Sequence, residues 1–318
     1  MEVRMKVFAA SLSLLLGMSR LIAAPPGTPP ASPSAAGTTH SLVRPDLVLQ
    51  YTEYGSGDPV LALNGGPGFS GASLASLAQL LAKRTRVILP DCRGTGLSIP
   101  KDDKAITLRG TLEDLEALRR SLGLKQWTVL GWSWGGCLAM EYASKFPASI
   151  SKLILLGSGP NSFEFAGPYT DTLKMRMTSD ERQAEEYWER EDVRNQDPDR
   201  AAVEVLRAMV PACFYDRSKA IPWISQFRPG KAIYNPGAEA LVPEFEIGAQ
   251  GRIEALRHLD CPTLILYGRQ DAMPATWAFE NHELIRGSKL VWIERCGHHV
   301  FIEQPEALEK ALFEFLYP

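Results

Sequence analysis

The eight residues Val129-Leu130-Gly131-Trp132-Ser133-Trp134-Gly135-Gly136 constrain this chain more than any other stretch. They read as a buried strand running into G-x-S-x-G, followed by a helix from Cys137 to about Phe146. The pattern marks a sharp strand-to-helix turn that exposes a serine Oγ. Such a turn strains the backbone at Ser133, so a Cβ at Gly131 or Gly135 would crowd the neighbouring strand and helix. The helix that starts there also aims unpaired N–H groups at any anion forming beside the serine.

The surrounding pattern supplies a sheet for that turn. Leu47 to Tyr54 alternates like a half-buried strand, and Pro59–Leu63, Arg86–Leu89, Lys152–Leu156, Cys261–Gly268 and Leu290–Ile293 are short, nearly continuous apolar runs. Helical periodicity lies between them, at Ser70–Lys83, Thr111–Leu122, Trp277–Ile285 and Pro305–Leu316. Apolar strands alternating with helices predict an α/β fold, a mostly parallel sheet covered on both faces. Catalytic groups then gather at the C-terminal ends of the strands. From 158 to 250 the strand-like runs vanish and helical stretches rich in Glu, Arg, Trp and Tyr take over. Because the sheet resumes afterwards, residues 42–157 and 251–318 form the core and 158–250 an inserted helical cap.

The N-terminus differs from the body. Arg4 and Lys6 precede an apolar run from Val7 to Met18, and small residues lead to Pro25. Residues 1–24 are thus expected to be a signal peptide cleaved after Ala24, which implies an exported, periplasmic or secreted protein. The apolar run is shorter than the ~20 residues needed to span a bilayer. Residues 25–41, rich in Pro, Ala, Ser, Gly and Thr, read as a disordered linker, with His40 inside it. The formal charge of −3 and pI near 6.0 give no reason to expect nucleic-acid binding. Five cysteines without metal-ligand spacing suggest no metal site; in an exported protein one pair could be a disulfide, and the odd count leaves at least one free thiol. No cofactor is expected. The expected partner is a small-molecule or short-peptide substrate, with no membrane once the leader is removed; the oligomeric state is left open.

A serine hydroxyl near neutral pH needs a base, normally a histidine held in one tautomer by a carboxylate. His258 and His282 lie in helical patterns, whereas Cys296-Gly297-His298-His299 follows the last strand. His298 is the expected base and His299 the alternative. Gly268-Arg269-Gln270-Asp271 follows the preceding strand and offers Asp271 as the acid; the loop after Leu156 contains none. Acyl transfer also needs donors to the developing oxyanion, each worth roughly 3–4 kcal/mol. The amide of Trp134 is one, and the turn Asn64-Gly65-Gly66-Pro67-Gly68 offers Gly66 first and Gly65 second.

From about Val60 onward the chain resembles an α/β-hydrolase of the proline iminopeptidase branch. NGGPG at Asn64–Gly68, DCRGTGLS at Asp91–Ser98, GWSWGG at Gly131–Gly136, GRQD at Gly268–Asp271 and CGHHVFIEQPE at Cys296–Glu306 carry the resemblance. It implies a Ser133–Asp271–His298 triad, with oxyanion amides at Trp134 and the Gly65–Gly66 turn. The branch has HGGPG where this chain has Asn64, a position that is generally structural. Its W-x-x-W-E cap pattern, which places glutamates over a cationic N-terminal proline, survives only as Tyr187-Trp188-Glu189. Glu189, Glu204, Glu244 and Glu246 are therefore candidate substrate-binding residues. The cap holds 16 Asp plus Glu against 11 Lys plus Arg.

The function implied is a serine hydrolase working through an acyl-enzyme, an aminopeptidase releasing N-terminal proline. An esterase or lactonase with the same triad is the alternative, its cap pocket lined by Trp188, Phe214, Tyr215, Trp223 and Phe227. A binding protein that kept the hydrolase shell is the third reading. Dehalogenase and epoxide hydrolase chemistry is disfavoured, because those relatives use Asp at the position of Ser133.

Overall fold

The computed structural model describes residues 37–164, 167–230 and 233–318; the expected leader at 1–24 and most of the linker lie outside them. The sheet has eight strands: β1 Thr38–Val43, β2 Val48–Gly55, β3 Asp58–Leu63, β4 Thr85–Pro90, β5 Trp127–Trp132, β6 Ile150–Leu156, β7 Thr263–Gly268 and β8 Lys289–Ile293. Their order is β1-β2-β4-β3-β5-β6-β7-β8. The pairings β1·β2 and β2·β4 are antiparallel and all others parallel.

Successive residues of each central strand enter two different cores. On β6, Ile154 and Leu156 pack on one face, Leu153 and Leu155 on the other. On β3, Ala62 and Leu63 divide in the same way. Helices α1 Ala75–Leu81 and α13 Pro305–Leu316 cover the first face, and α2 Leu108–Ser121, α3 Trp134–Lys145 and α11 Ala275–Leu284 the second. A strand buried on both sides loses the polar alternation of a half-exposed strand, hence the continuous apolar runs.

The linker expectation ended too late. Thr38–Ser41 belong to β1, which pairs with β2 from Thr38↔Glu53 to Val43↔Val48. Its side chains are almost all exposed, so backbone hydrogen bonding holds it and a polar composition suffices. His40, placed in the linker by composition, stacks on Tyr51 with ring centroids 5.3 Å apart.

Between β6 and β7 lie α4 Gly167–Arg176, α5 Ser179–Trp188, α6 Glu191–Arg194, α7 Pro198–Met209, α8 Ala220–Ile224, α9 Leu241–Ile247 and α10 Ala249–Arg257. The contacts of this segment locate it. Ser70 donates to Ile233 O at 2.9 Å, Asn235 N to Gly68 O at 2.9 Å, and Asn235 Nδ2 to Gly94 O at 2.7 Å. His298 N donates to Cys213 O at 2.7 Å, and Arg176 Nη1 to Gln270 O at 2.6 Å. Each core partner follows the C-terminal end of a strand, so the insertion covers those ends. Its last helix, α10, returns to the sheet: Arg252 is fully buried and pairs with Glu141 of α3 at 2.8 Å.

All five cysteines are free thiols, so the possible disulfide is not formed. Burial pushes Cys92, Cys137 and Cys213 up to about 12, which suppresses their thiolates. No helix among the described residues is long and apolar enough to cross a membrane.

The loop after β4 is built on buried ions. Arg93 donates to Asp114 Oδ2 at 2.8 Å and also pairs with Asp46, while Arg44 reaches Asp114 Oδ1 at 2.7 Å. Asp114 is only 1% exposed. Asp91 accepts Leu97 N at 2.9 Å, which folds the loop on itself, and Gly71 N at 2.8 Å, which ties it to the segment after β3. Removing one partner of a buried pair leaves the other charge desolvated, at ~3–5 kcal/mol. Arg93→Ala is expected to cost about 3 kcal/mol, the low end because Arg44 still neutralises Asp114; a lowered urea midpoint at unchanged slope checks it.

Candidate active site

Ser133 sits between β5 and α3 with φ 57° and ψ −123°, a backbone conformation that side chains rarely adopt. The helix begins directly at Trp134, three residues earlier than its apolar pattern implied. Backbone bonds hold the strained residue. Ser133 N donates to Leu156 O at 3.1 Å, and Ser133 O accepts from Gly136 N at 2.9 Å and Gly159 N at 3.1 Å. The glycines have the steric cause expected of them. A Cβ at Gly135 would overlap the Leu63 carbonyl, and one at Gly131 the Gly135 carbonyl. Gly65 is tight to a lesser degree: a Cβ there would stand 3.0 Å from the Ser133 Cβ.

The structure brings His298 and Asp271 together. His298 Nδ1 and Asp271 Oδ2 are 3.0 Å apart, with side chains 6% and 2% exposed. Met273 N donates to the other carboxylate oxygen at 2.9 Å, which fixes its plane. The two loops are clipped together, as Gln270 N donates to Cys296 O at 2.9 Å and Cys296 N to Gln270 Oε1 at 3.0 Å. Trp132, adjacent to Ser133, donates from Nε1 to His298 O at 3.1 Å and its ring lies 5.2 Å from the imidazole. Gly157 closes the other side: a Cβ there would be 3.2 Å from His298 Nδ1 and 3.3 Å from Asp271 Oδ2.

His299 has a different environment. It stacks 4.2 Å on Phe214 and meets Trp223 edge-on at 4.3 Å, and neither ring nitrogen has a hydrogen-bond partner. Burial, reinforced by His298, holds its pKa well below 6.5, so it stays neutral.

The turn Asn64–Gly68 comes against the elbow. Asn64 is buried and its Nδ2 donates to Phe69 O, which closes the turn. Gly66 and Gly68 have φ of 120° and 114°, open to glycine alone. Trp134 is the first residue of its helix, so its N–H has no intrahelical acceptor. Gly65 and Trp134 thus flank Ser133.

The candidate glutamates separate. Glu244 Oε2 accepts Leu108 N at 2.7 Å, at the start of α2, and Glu246 holds Ser162 Oγ at 2.8 Å and Phe163 N at 2.7 Å. Glu204 pairs with Arg207 at 2.8 Å one turn along α7. These three are occupied by structural partners. Glu189 is 2% exposed, its Oε1 has no hydrogen-bond partner, and burial followed by the Glu185 charge pushes it up to about 8. Two carboxylates missed in the sequence accompany it. Glu185, one turn earlier on the same helix, faces Lys174 Nζ at 3.3 Å. Glu239 accepts from Tyr234 Oη at 3.0 Å, and the Tyr234 ring packs 5.1 Å from Phe69, the residue after the Gly-rich turn. Burial raises the pKa of both carboxyls. The spacing of Glu185 and Glu189 on one helical face was a readable signal; Glu239 had none.

Of the expected pocket aromatics, Phe214, Trp223 and Phe227 are buried, with Trp223 and Phe227 packed at 5.9 and 5.5 Å from Phe69. Tyr215 is half exposed, and Trp188 lies beneath Arg200 at 5.0 Å. Among the described residues no group of three or more His, Cys, Asp or Glu is placed to hold a metal ion.

The family model for the alpha/beta hydrolase fold matches residues 58–305. A proline iminopeptidase of Saccharolobus solfataricus is 30% identical over 286 residues, 84% of this chain and 87% of that protein. A 2-hydroxy-6-oxo-2,4-heptadienoate hydrolase of Pseudomonas putida is 29% identical over 275 residues, 83% of this chain and 91% of that one. Among solved structures, a serine hydrolase from Cycloclasticus zankles superposes with TM-score 0.66 at 19% identity, covering 89% of this chain and 99% of that one. The chain belongs to the α/β-hydrolase family, in its proline iminopeptidase-like branch. Family membership supports a hydrolase.

Two glycine substitutions separate the elbow from ordinary helix. Gly135→Ala is expected to cost more than ~3 kcal/mol or abolish soluble protein, since a sheet carbonyl cannot withdraw. Gly251→Ala in α10, where a Cβ meets nothing within 4 Å, should stabilise by up to ~1 kcal/mol. Thermal denaturation of both variants checks the pair.

Proposed function

We propose that the protein is a serine hydrolase in which Ser133, His298 and Asp271 act as a triad, and that it releases N-terminal proline from short peptides. The hydrogen bond from His298 Nδ1 to Asp271, made beside the strained Ser133, carries the reading. It leaves Nε2 to take the Ser133 proton as Oγ attacks the scissile carbonyl. The tetrahedral oxyanion would be met by the Trp134 amide and by Gly65 or Gly66. The imidazolium then protonates the leaving amine, and water releases the acyl group by the reverse path. Ser133→Ala is expected to lower turnover of a proline anilide by at least about 10⁴-fold and to abolish labelling by a fluorophosphonate. A wild-type protein that the probe fails to label would leave a binding protein as the surviving reading.

Buried carboxylates support the choice of substrate. Ionised, Glu189 lies in low dielectric beside Glu185 and Glu239, and a bound ammonium would relieve that cost. Glu189→Gln is expected to raise KM for proline anilide at least tenfold while leaving turnover of a short neutral ester unchanged. Stability should change too. With a folded pKa of about 8 against an ordinary 4.5, the Glu189 carboxyl favours folding fully below pH 4.5, and that advantage is lost as pH rises through 8. Glu189→Gln should therefore match the wild-type Tm at pH 4.5 and exceed it at pH 9.

The aromatic group of Phe69, Trp223, Phe227 and Tyr234 favours a second reading, hydrolysis of a small ester or lactone by the same triad. Faster turnover of p-nitrophenyl esters than of amino-acid anilides would select it. Export rests on the leader sequence alone, and a protein retained in the cytoplasm would refute it.

A further inference from the structure

Glu303 takes no part in the chemistry above, yet it lies buried between the loop of the base and the cap. It ends α12 Val300–Glu303, is 3% exposed, and uses both carboxylate oxygens. Oε2 accepts Gly297 N at 2.6 Å, one residue before His298. Oε1 accepts Tyr215 N at 2.9 Å and Asp216 N at 2.8 Å, both in the cap. The same cap segment touches the loop directly, through His298 N to Cys213 O at 2.7 Å. Lys219 Nζ adds a bond to the Glu303 carbonyl at 2.9 Å.

We propose that Glu303 is a positioning residue for His298 and fastens the cap segment Cys213–Asp216 to the loop that carries the base. Three backbone donors converge on its two oxygens, an arrangement only a carboxylate satisfies on both sides. The tie to the cap is long-range in sequence, Glu303 standing 88 residues from Tyr215, whereas Gly297 is only 6 residues away. A shift of the cap at 213–216 is thereby transmitted to Gly297 and to the imidazole, so substrate seated under the cap and the geometry of the base are linked.

An amide at this position has one acceptor oxygen, and its NH2 must face either Gly297 N–H or the two cap N–H groups. Glu303→Gln opens one tie while keeping size and shape. The inference rests on His298 serving Ser133, so two readouts separate the claims. In the wild type, labelling of Ser133 by a fluorophosphonate, lost in Ser133→Ala and His298→Ala, tests the triad. The low-field proton resonance of the His298–Asp271 hydrogen bond tests Glu303 without any substrate. Glu303→Gln is expected to slow labelling at least tenfold and to broaden or lose that resonance, with the far-UV circular dichroism retained. If Glu303→Gln does not fold, Glu303→Asp carries the test, with labelling slowed several-fold because the shorter side chain cannot reach both sides. A folded variant with wild-type resonance and wild-type labelling rate overturns the proposal.

Discussion

The close approach of backbone at the elbow is the constraint on which the rest of the site depends. Ser133 occupies a positive φ that isolated chain would avoid, and it persists because its N–H and carbonyl are bonded to β6 and to the segment after it. At this turn α3 lies almost on β3 and β5, which Gly135 and Gly131 respectively allow by having no Cβ. Gly65 and Gly157 extend the same logic outward, one against the serine and the other against the histidine–aspartate pair. Five loops meet in a volume where one added methyl group would displace a carbonyl or an imidazole.

Asp271 and His298 follow neighbouring strands β7 and β8, whose C-terminal loops are joined by reciprocal Gln270–Cys296 bonds. Their mutual geometry is therefore fixed by backbone, with the side-chain contact laid on top. Trp132 links the pair to the elbow by a hydrogen bond and by ring packing. The neutral His299, enclosed by Phe214 and Trp223, completes the aromatic wall behind it. Cap residues enter this framework at Cys213, Phe214 and Arg176, so the insertion belongs to the support of the site as well as to its roof.

Much of the architecture was legible. Strands buried on both faces have continuous apolar runs, and β3 to β8 were placed within about two residues for that reason. The polar strand β1 was missed because only backbone bonds and one edge hold it. Ser133, His298 and Asp271 could be chosen by position after strands, and the structure places each at a strand end with His298 against Asp271. The glutamates were less readable. Glu244 and Glu246 look like Glu189 in sequence, yet they accept backbone N–H groups from segments 136 and 83 residues away.

What the sequence by itself determined was whatever the backbone demands locally. Glycines where a Cβ would collide, apolar runs where both faces are covered, and the chain order of serine, acid and base all leave their mark in residue type. The tertiary structure alone decided which of two adjacent histidines meets the aspartate, which cap carboxylate is buried with an oxygen unpaired, and which acid bonds to both the cap and the loop of His298. Those outcomes depend on partners far apart in the chain, and residue type at one position carries no record of the group that will face it.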